Sequence, residues 1–225
     1  IAALEARHGA AAGGAPRFLL LHRRRRWNAA EHRWMGWERK RGKLHELNRL
    51  LRGARDTSFV DDPSIARLPA GVRYVLTLDS DTRVPIDAIA RLVGAAAHQL
   101  NRPRFRGDAT GERPVSGYAI FQPRVTPRLP RPEGDTPFRT IAGGASGLDP
   151  YSARVSDLYQ DFFGEGNYIG KGLYDIDAFE RATAGRIREN TILSHDLLEG
   201  ILARCAFIGD VELVDDFPWH ADVAA

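Results

Sequence analysis

Val72–Asp81 reads VRYVLTLDSD, and the fold turns on how this stretch is read. Val72 to Leu78 is mostly apolar, β-branched or aromatic, the composition of a buried parallel strand. The apolar run stops abruptly at Asp79-Ser80-Asp81. Pro85 then suits the first turn of a helix, in which Ile86, Ile89, Val93 and Leu100 recur at helical spacing. A strand that ends in carboxylates and hands over to a helix is a unit of an α/β sheet, whose ligands gather at the strand's C-terminal end.

Upstream, Phe18–Leu21 (FLLL) reads as a short buried strand. ERKRGKLHELNRLLRG then opens a helix near Gly42, with Leu44, Leu47 and Leu51 on one face and Gly53 as its stop. Asp56 to Ala70 is polar and reads as a loop. Downstream, an Arg-, Gly- and Pro-rich loop leads to a strand over Tyr118–Gln122, and residues 123–150 read as a mobile surface loop. Tyr151, Val155, Leu158 and Phe162 mark an amphipathic helix. After FGEGNYIGKGLYD, a helix is expected from Asp177, with Glu180 as capping-box partner. A last helix is expected near Ser194-His195-Asp196, carrying Leu198, Ile201 and Cys205, with a closing strand at Val211–Val214. Strands alternating with helices give an α/β fold with a mainly parallel sheet.

The chain has 225 residues, 43% of them hydrophobic and 27% charged, enough for one domain with a core of its own. Cys205 is its single cysteine, which excludes an internal disulfide and fits a reducing compartment. No Cys/His spacing suggests zinc, and no apolar run reaches the ~18 residues of a membrane span. The net charge of +3 hides an asymmetry: Arg17–Arg55 is strongly basic, and the segment from Glu189 onward is acid-rich. A basic surface for an anion follows, without saying which anion.

Three constellations carry chemistry. Asp79 and Asp81 offer hard oxygens suited to Mg²⁺ or Mn²⁺ holding a diphosphate, although Asp and Ser also commonly cap a strand as a plain polar turn. A haloacid-dehalogenase-type phosphatase also carries DxD after a hydrophobic strand. There, Thr or Val stands two residues after the second Asp, where this chain has Arg83. Lys40-Arg41-Gly42-Lys43 sits at a helix start, which favours an anion or is a solvated basic end. The Arg23–Arg26 run with Trp27, Trp34 and Trp37 has the chemistry to touch RNA, but nothing else resembles an RNA-binding module. In ILSHDLLEG, Asp196 is either a general base or an ordinary helix-start acid, and His195 reads as a surface residue.

Taken in order, WMGWERKRGKLHELNRLLRG, YVLTLDSDT, FFGEGNYIGKGLYDIDAF and ILSHDLLEG resemble processive glycosyltransferases of the cellulose-synthase type. In detail they are similar to the glycosyltransferase domain of cyclic β-1,2-glucan synthases, over most of residues 27–217. The resemblance implies a Rossmann-like nucleotide-sugar-transferase fold and an inverting transfer of glucose from UDP-glucose onto a growing β-1,2-glucan. It implies a divalent metal, Mg²⁺ or Mn²⁺, at Asp79 and Asp81, and Lys40 and Lys43 facing the diphosphate. Gly170, Lys171, Gly172, Tyr174 and Asp175 would line the acceptor side, with Asp196 as base. It further implies a place on the cytoplasmic face of a bacterial inner membrane, held through segments outside this chain. Relatives of this type carry a uracil-binding strand ahead of these motifs and an Arg/Trp-rich motif after them. Residues 1–225 are therefore expected to be a partial transferase domain. A dehalogenase-type phosphatase, or a non-catalytic glycan- or RNA-binding fragment, is the competing reading.

Overall fold

The computed structural model describes residues 1–11, 14–108, 111–128, 136–142, 158–191 and 195–216. They belong to two compact units, Ile1–Arg73 with Ile187–Leu193, and Tyr74–Arg186 with Ser194–Ala225.

The first unit holds α1 (Ala2–His8), the hairpin strands β1 (Arg26–Asn28) and β2 (Arg33–Met35), α2 (Arg39–Leu51) and α3 (Pro63–Ala66). The Asn28 side chain turns the hairpin by accepting from the backbone N–H groups of Ala30 and Glu31 at 3.0 and 3.1 Å. Cross-strand Trp27 and Trp34 pack edge to face. Phe18–Leu21 is not a strand: Leu20 is exposed, and the chain first pairs at a bridge from Arg23 to Phe59. Helix α2 starts earlier than expected, at Arg39, and Gly53 follows it with φ of 93°. Its buried side includes Leu44 and Leu50 together with Glu46 and Asn48, while Leu47 and Leu51 are half-buried. Glu46 is 4% exposed and meets Arg23 Nε at 2.8 Å. The same guanidinium donates to the Trp37 carbonyl at 2.7 Å and to Ser58 Oγ at 2.9 Å. One arginine of the basic run is thus a structural strut.

The second unit is built on a five-stranded sheet in the order β3-β8-β7-β9-β4. The strands are β3 (Tyr74–Thr77), β4 (Thr82–Arg83), β7 (Ile120–Pro127), β8 (Gly172–Asp175) and β9 (Cys205–Asp215). Only β7 with β9 pairs in parallel; the other neighbours are antiparallel. The expected mainly parallel sheet is corrected to a mixed, mostly antiparallel one. The cause is β8, a four-residue strand inside the stretch GKGLYD. It runs backwards between β3 and β7, pairing Leu76 with Leu173 and Phe121 with Leu173. Strand β3, expected to lie between parallel neighbours, is consequently a half-buried strand at the end of the sheet order.

Helix α4 (Ala88–Ala97) covers one face of the sheet. Its Ala88, Leu92 and Ala96 are buried at i, i+4, i+8 spacing against Phe121, Val125, Leu173, Ala206, Val211 and Leu213. The larger Ile86, Ile89 and Leu100 are exposed, because the helix starts three residues after Pro85 and its face is set accordingly. The Arg/Gly/Pro loop is a hairpin, β5 (Arg104–Asp108) with β6 (Gly111–Ser116). The strand expected over Tyr118–Gln122 is β7, which begins at Ile120 and runs on to Pro127, and α5 (Pro137–Ala142) falls within the segment 123–150 expected to be loop. Residues 129–135 and 143–157, including the expected helical positions Tyr151 and Val155, lie outside the described residues.

Helix α6 (Leu158–Phe163) exposes Phe162 instead of burying it. Helix α7 (Ile176–Thr183) begins one residue before Asp177, and its cap is Asp175, whose carboxylate accepts from Ala178 N at 3.1 Å. Helix α8 (Asp196–Ala203) buries Glu199, Gly200 and Ala203 and exposes Ile201. Cys205 opens β9 instead of lying in that helix, and the expected closing strand at Val211–Val214 is the second half of β9.

Candidate functional site

The site of the second unit grows from the end of β3. Thr77 is the last residue of the strand, and Asp79, Ser80 and Asp81 follow as an exposed turn. The turn is closed by Thr82 N donating to the Asp79 carbonyl at 3.2 Å and tied to the end of β9 by Asp216 N donating to the Asp81 carbonyl at 3.0 Å. Side chains reinforce this stitch. Thr82 Oγ1 donates to Asp215 at 2.8 Å, and Arg83 clamps Asp216 through two nitrogens.

Opposite the turn lies the backbone segment Tyr168–Gly172. The carbonyl oxygen of the buried Gln122 side chain accepts from Ile169 N at 3.0 Å, and Thr77 Oγ1 reaches the carbonyls of Gly170 and Gly172 at 3.0 and 3.1 Å. This grip delivers Lys171, whose ammonium stands 3.3 Å from Asp79 Oδ2 and also pairs with Asp215. Burial lowers the affinity of that amine for its proton. Hydrogen bonding to Asp215 and the charges of Asp215 and Asp79 more than reverse this, so the Lys171 pKa is raised.

On the other side of the same segment sits Asp196, first residue of α8. Gly170 has φ of 84°, and a Cβ placed on it would lie 2.9 Å from all three atoms of the Asp196 carboxyl group. Only a glycine leaves room for that carboxylate. Asp196 keeps a partly open side chain, 26% exposed. Behind it, His195 Nδ1 is 3.7 Å from Asp196 Oδ1 and 3.3 Å from Oε1 of the buried Glu199.

Two groups could hold a cation. Asp79 and Asp81 stand exposed on one turn, where their hard carboxylate oxygens suit a small ion shared with phosphate oxygens, and Asp79 also meets the Lys171 ammonium. His195, Asp196 and Glu199 place one ligand atom each within 4.8 Å of one another. Glu199 and His195 are buried, at 2% and 7% exposure, and face each other, leaving Asp196 as the member open to a substrate.

The sequence-predicted residues therefore divide. Asp79, Gly170, Lys171, Gly172 and Asp196 come together, with Asp81 on the same turn as Asp79. The side chains of Tyr174 and Asp175 serve α7 instead of an open cleft: Tyr174 is 1% exposed and packs on Phe179, and Asp175 is the helix cap. Lys40 and Lys43 belong to the first unit, in the opening turns of α2, where Lys43 is exposed. Three participants escaped the sequence reading, namely Thr77, Tyr168 and Asp215; Glu199, the carboxylate one turn beyond Asp196 and an alternative to it as base, is buried, and so is His195, read as a surface residue. Asp215 alone had a signal, the acidic pair at the end of an apolar run in VELVDD.

No protein-family profile matches the chain. Over 223 residues, 99% of its length, the chain is 55% identical to the cyclic beta-(1,2)-glucan synthase NdvB of Rhizobium meliloti (strain 1021). It spans 8% of the length of that curated relative.

Proposed function

Because the chain belongs to the cyclic β-(1,2)-glucan synthase family, we propose that its second unit carries part of the sugar-transfer centre of a much larger synthase. The reaction proposed is inverting transfer of glucose from UDP-glucose to the end of a growing β-1,2-glucan. The observation that supports it is the convergence of two distant carboxylates on one short backbone segment. Asp79 reaches Lys171, and Asp196 lies against Gly170. Donor-side and acceptor-side chemistry need that proximity.

Asp79 and Asp81 would hold a divalent Mg²⁺ or Mn²⁺ ion, whose chemistry when bound is to offset charge on the departing diphosphate. Lys171 keeps its proton and lends a fixed positive charge beside Asp79. Lys40 and Lys43 are proposed to face the diphosphate from the start of α2, where helix N–H groups favour an anion. The acceptor glucan would run along the backbone of Gly170–Gly172. Asp196 takes the proton of the acceptor hydroxyl as its oxygen attacks the anomeric carbon opposite the departing UDP, so an α-linked donor yields a β-linked product. No helix among the described residues is long and apolar enough to cross a membrane. Attachment to the cytoplasmic face of the inner membrane is proposed to run through other segments of the synthase.

The test uses the full-length synthase. Asp196→Asn is nearly isosteric, and loss of a general base should lower glucan synthesis by roughly 10²–10⁴-fold with UDP-glucose binding little changed. In calorimetry, Mn²⁺ should tighten UDP binding, and Asp81→Asn should abolish that gain. Near-normal synthesis by Asp196→Asn retires it as the base; UDP affinity indifferent to Mn²⁺ and to Asp81→Asn retires the metal turn.

A further inference from the structure

Thr77 lies two residues before Asp79, and its hydroxyl is the meeting point of four backbone and side-chain groups from three residues of the opposing segment. Tyr168 Oη is 3.1 Å away, the Gly170 carbonyl 3.0 Å, the Gly172 carbonyl 3.1 Å, and Gly172 N donates to it at 3.2 Å. A hydroxyl has one proton to give and two lone pairs to receive. Gly172 N–H and the Tyr168 phenol fill the acceptor side, leaving the single proton for the two glycine carbonyls. Thr77 is 6% exposed and Tyr168 3%, so water does not compete for these bonds.

Both arms of this hub end on α8. Gly170 supplies the floor on which the Asp196 carboxylate rests. Tyr168 meets Gly200 one turn further along the helix, where a Cβ would come within 2.8 Å of the Tyr168 Cβ. Burial pushes the Tyr168 phenol well above its usual pKa, which keeps it a neutral hydrogen-bonding group. The strand that delivers Asp79 and the helix that delivers Asp196 are thereby fixed to one another through one side chain.

We propose that Thr77 is a positioning residue for sugar transfer, holding Tyr168 and Gly170 so that the carboxylate turn after β3 and the Asp196 carboxylate keep their mutual spacing. This rests on Asp196 being the base. Thr77 touches neither reactant, and its contribution is geometric. A displacement of about 1 Å at a reacting group can cost on the order of 10²-fold in rate.

The experiment compares Thr77→Val, Thr77→Ser and Asp196→Asn in the full-length synthase. Valine keeps the shape and removes the hydroxyl; serine keeps the hydroxyl. Thr77→Val should lower kcat roughly 10- to 100-fold with KM for UDP-glucose near wild type, while Thr77→Ser retains most of the rate. Amide exchange gives a readout that needs no activity. In the Thr77→Val protein, exchange should quicken at Ile169–Gly172 and in the first turn of α8, at a denaturation midpoint where the protein remains folded. A wild-type kcat for folded Thr77→Val beside an inactive Asp196→Asn overturns the positioning role and leaves the base intact. Wild-type synthesis by Asp196→Asn overturns the base reading and the proposal with it. Unchanged exchange in the Ile169–Gly172 segment also overturns the proposal, because the tether then fixes nothing.

Discussion

The two units hold opposite charge. The first contains seventeen Lys and Arg against eight Asp and Glu, a balance of +9; the second contains fifteen against twenty-one, a balance of −6, and together they make the +3 of the chain. Each unit buries or half-buries charge in the manner its surplus dictates. In the first, the scarce acid is the valuable one: Glu46 is sunk in α2 and fixes Arg23, which in turn ties Trp37 and Ser58. In the second, the scarce base is the valuable one: Lys171 stands among Asp79 and Asp215. The difference teaches that each unit builds its central ion pair around a side chain of its minority sign, Glu46 in the first and Lys171 in the second.

The largest expected effect breaks the first half of that comparison. Glu46→Ala leaves the Arg23 guanidinium buried without its carboxylate and should cost about 3–5 kcal/mol. Three of the four tryptophans, Trp27, Trp34 and Trp37, belong to the first unit, so fluorescence-detected denaturation reads its loss. A cost below about 1 kcal/mol would mean the pair contributes no more than a surface salt bridge. Replacing both partners with apolar residues of similar size should be far milder than either single change.

Next in size is a test that the second unit stands on apolar packing. Leu92, fully buried on α4, should cost about 3 kcal/mol as Leu92→Ala, seen as faster amide exchange in β7 and β8. Asp175→Ala removes the α7 cap and should cost about 1 kcal/mol, with fraying confined to Ile176–Thr183. Asp56→Asn is the smallest. Hydrogen bonding to Arg49 holds the exposed Asp56 carboxyl below its usual pKa. Its contribution is present above the unfolded value of about 3.9 and lost as pH falls through the lower folded one. Denaturation midpoints of wild type and Asp56→Asn should therefore differ little at pH 7, and what gap exists should close only below about pH 4.

Strand β3, the DSD turn, the helix at Asp196 and the special nature of GKGLYD were all legible in the sequence, because each depends on a local run of residue types. The direction of the sheet was not. Gly172–Asp175 is too short for an alternating pattern and opens with glycine, so its role as the reversed strand β8 shows only when Leu173 finds Leu76 and Phe121. The face of α4 was misread for a related reason. Alanines at 88 and 96 carry little hydrophobic weight, yet with Leu92 they let the helix approach the sheet closely, while Ile86 and Ile89 point outward. Thr77 and Tyr168 look like unremarkable strand and loop residues until their partners arrive from elsewhere in the chain.

The sheet order also dictates when the site can exist during synthesis. Strand β3 must wait for β8, which begins at Gly172, and β4 must wait for the far end of β9 at Asp215. The Asp79 turn leaves the ribosome long before either partner, and loop closure over such separations is slow and entropically costly. In that interval Tyr74–Thr77 is a bare strand able to pair with a neighbouring nascent chain. Substitutions that weaken β8 or β9 should therefore lower the yield of soluble protein more than their effect on the finished fold would suggest.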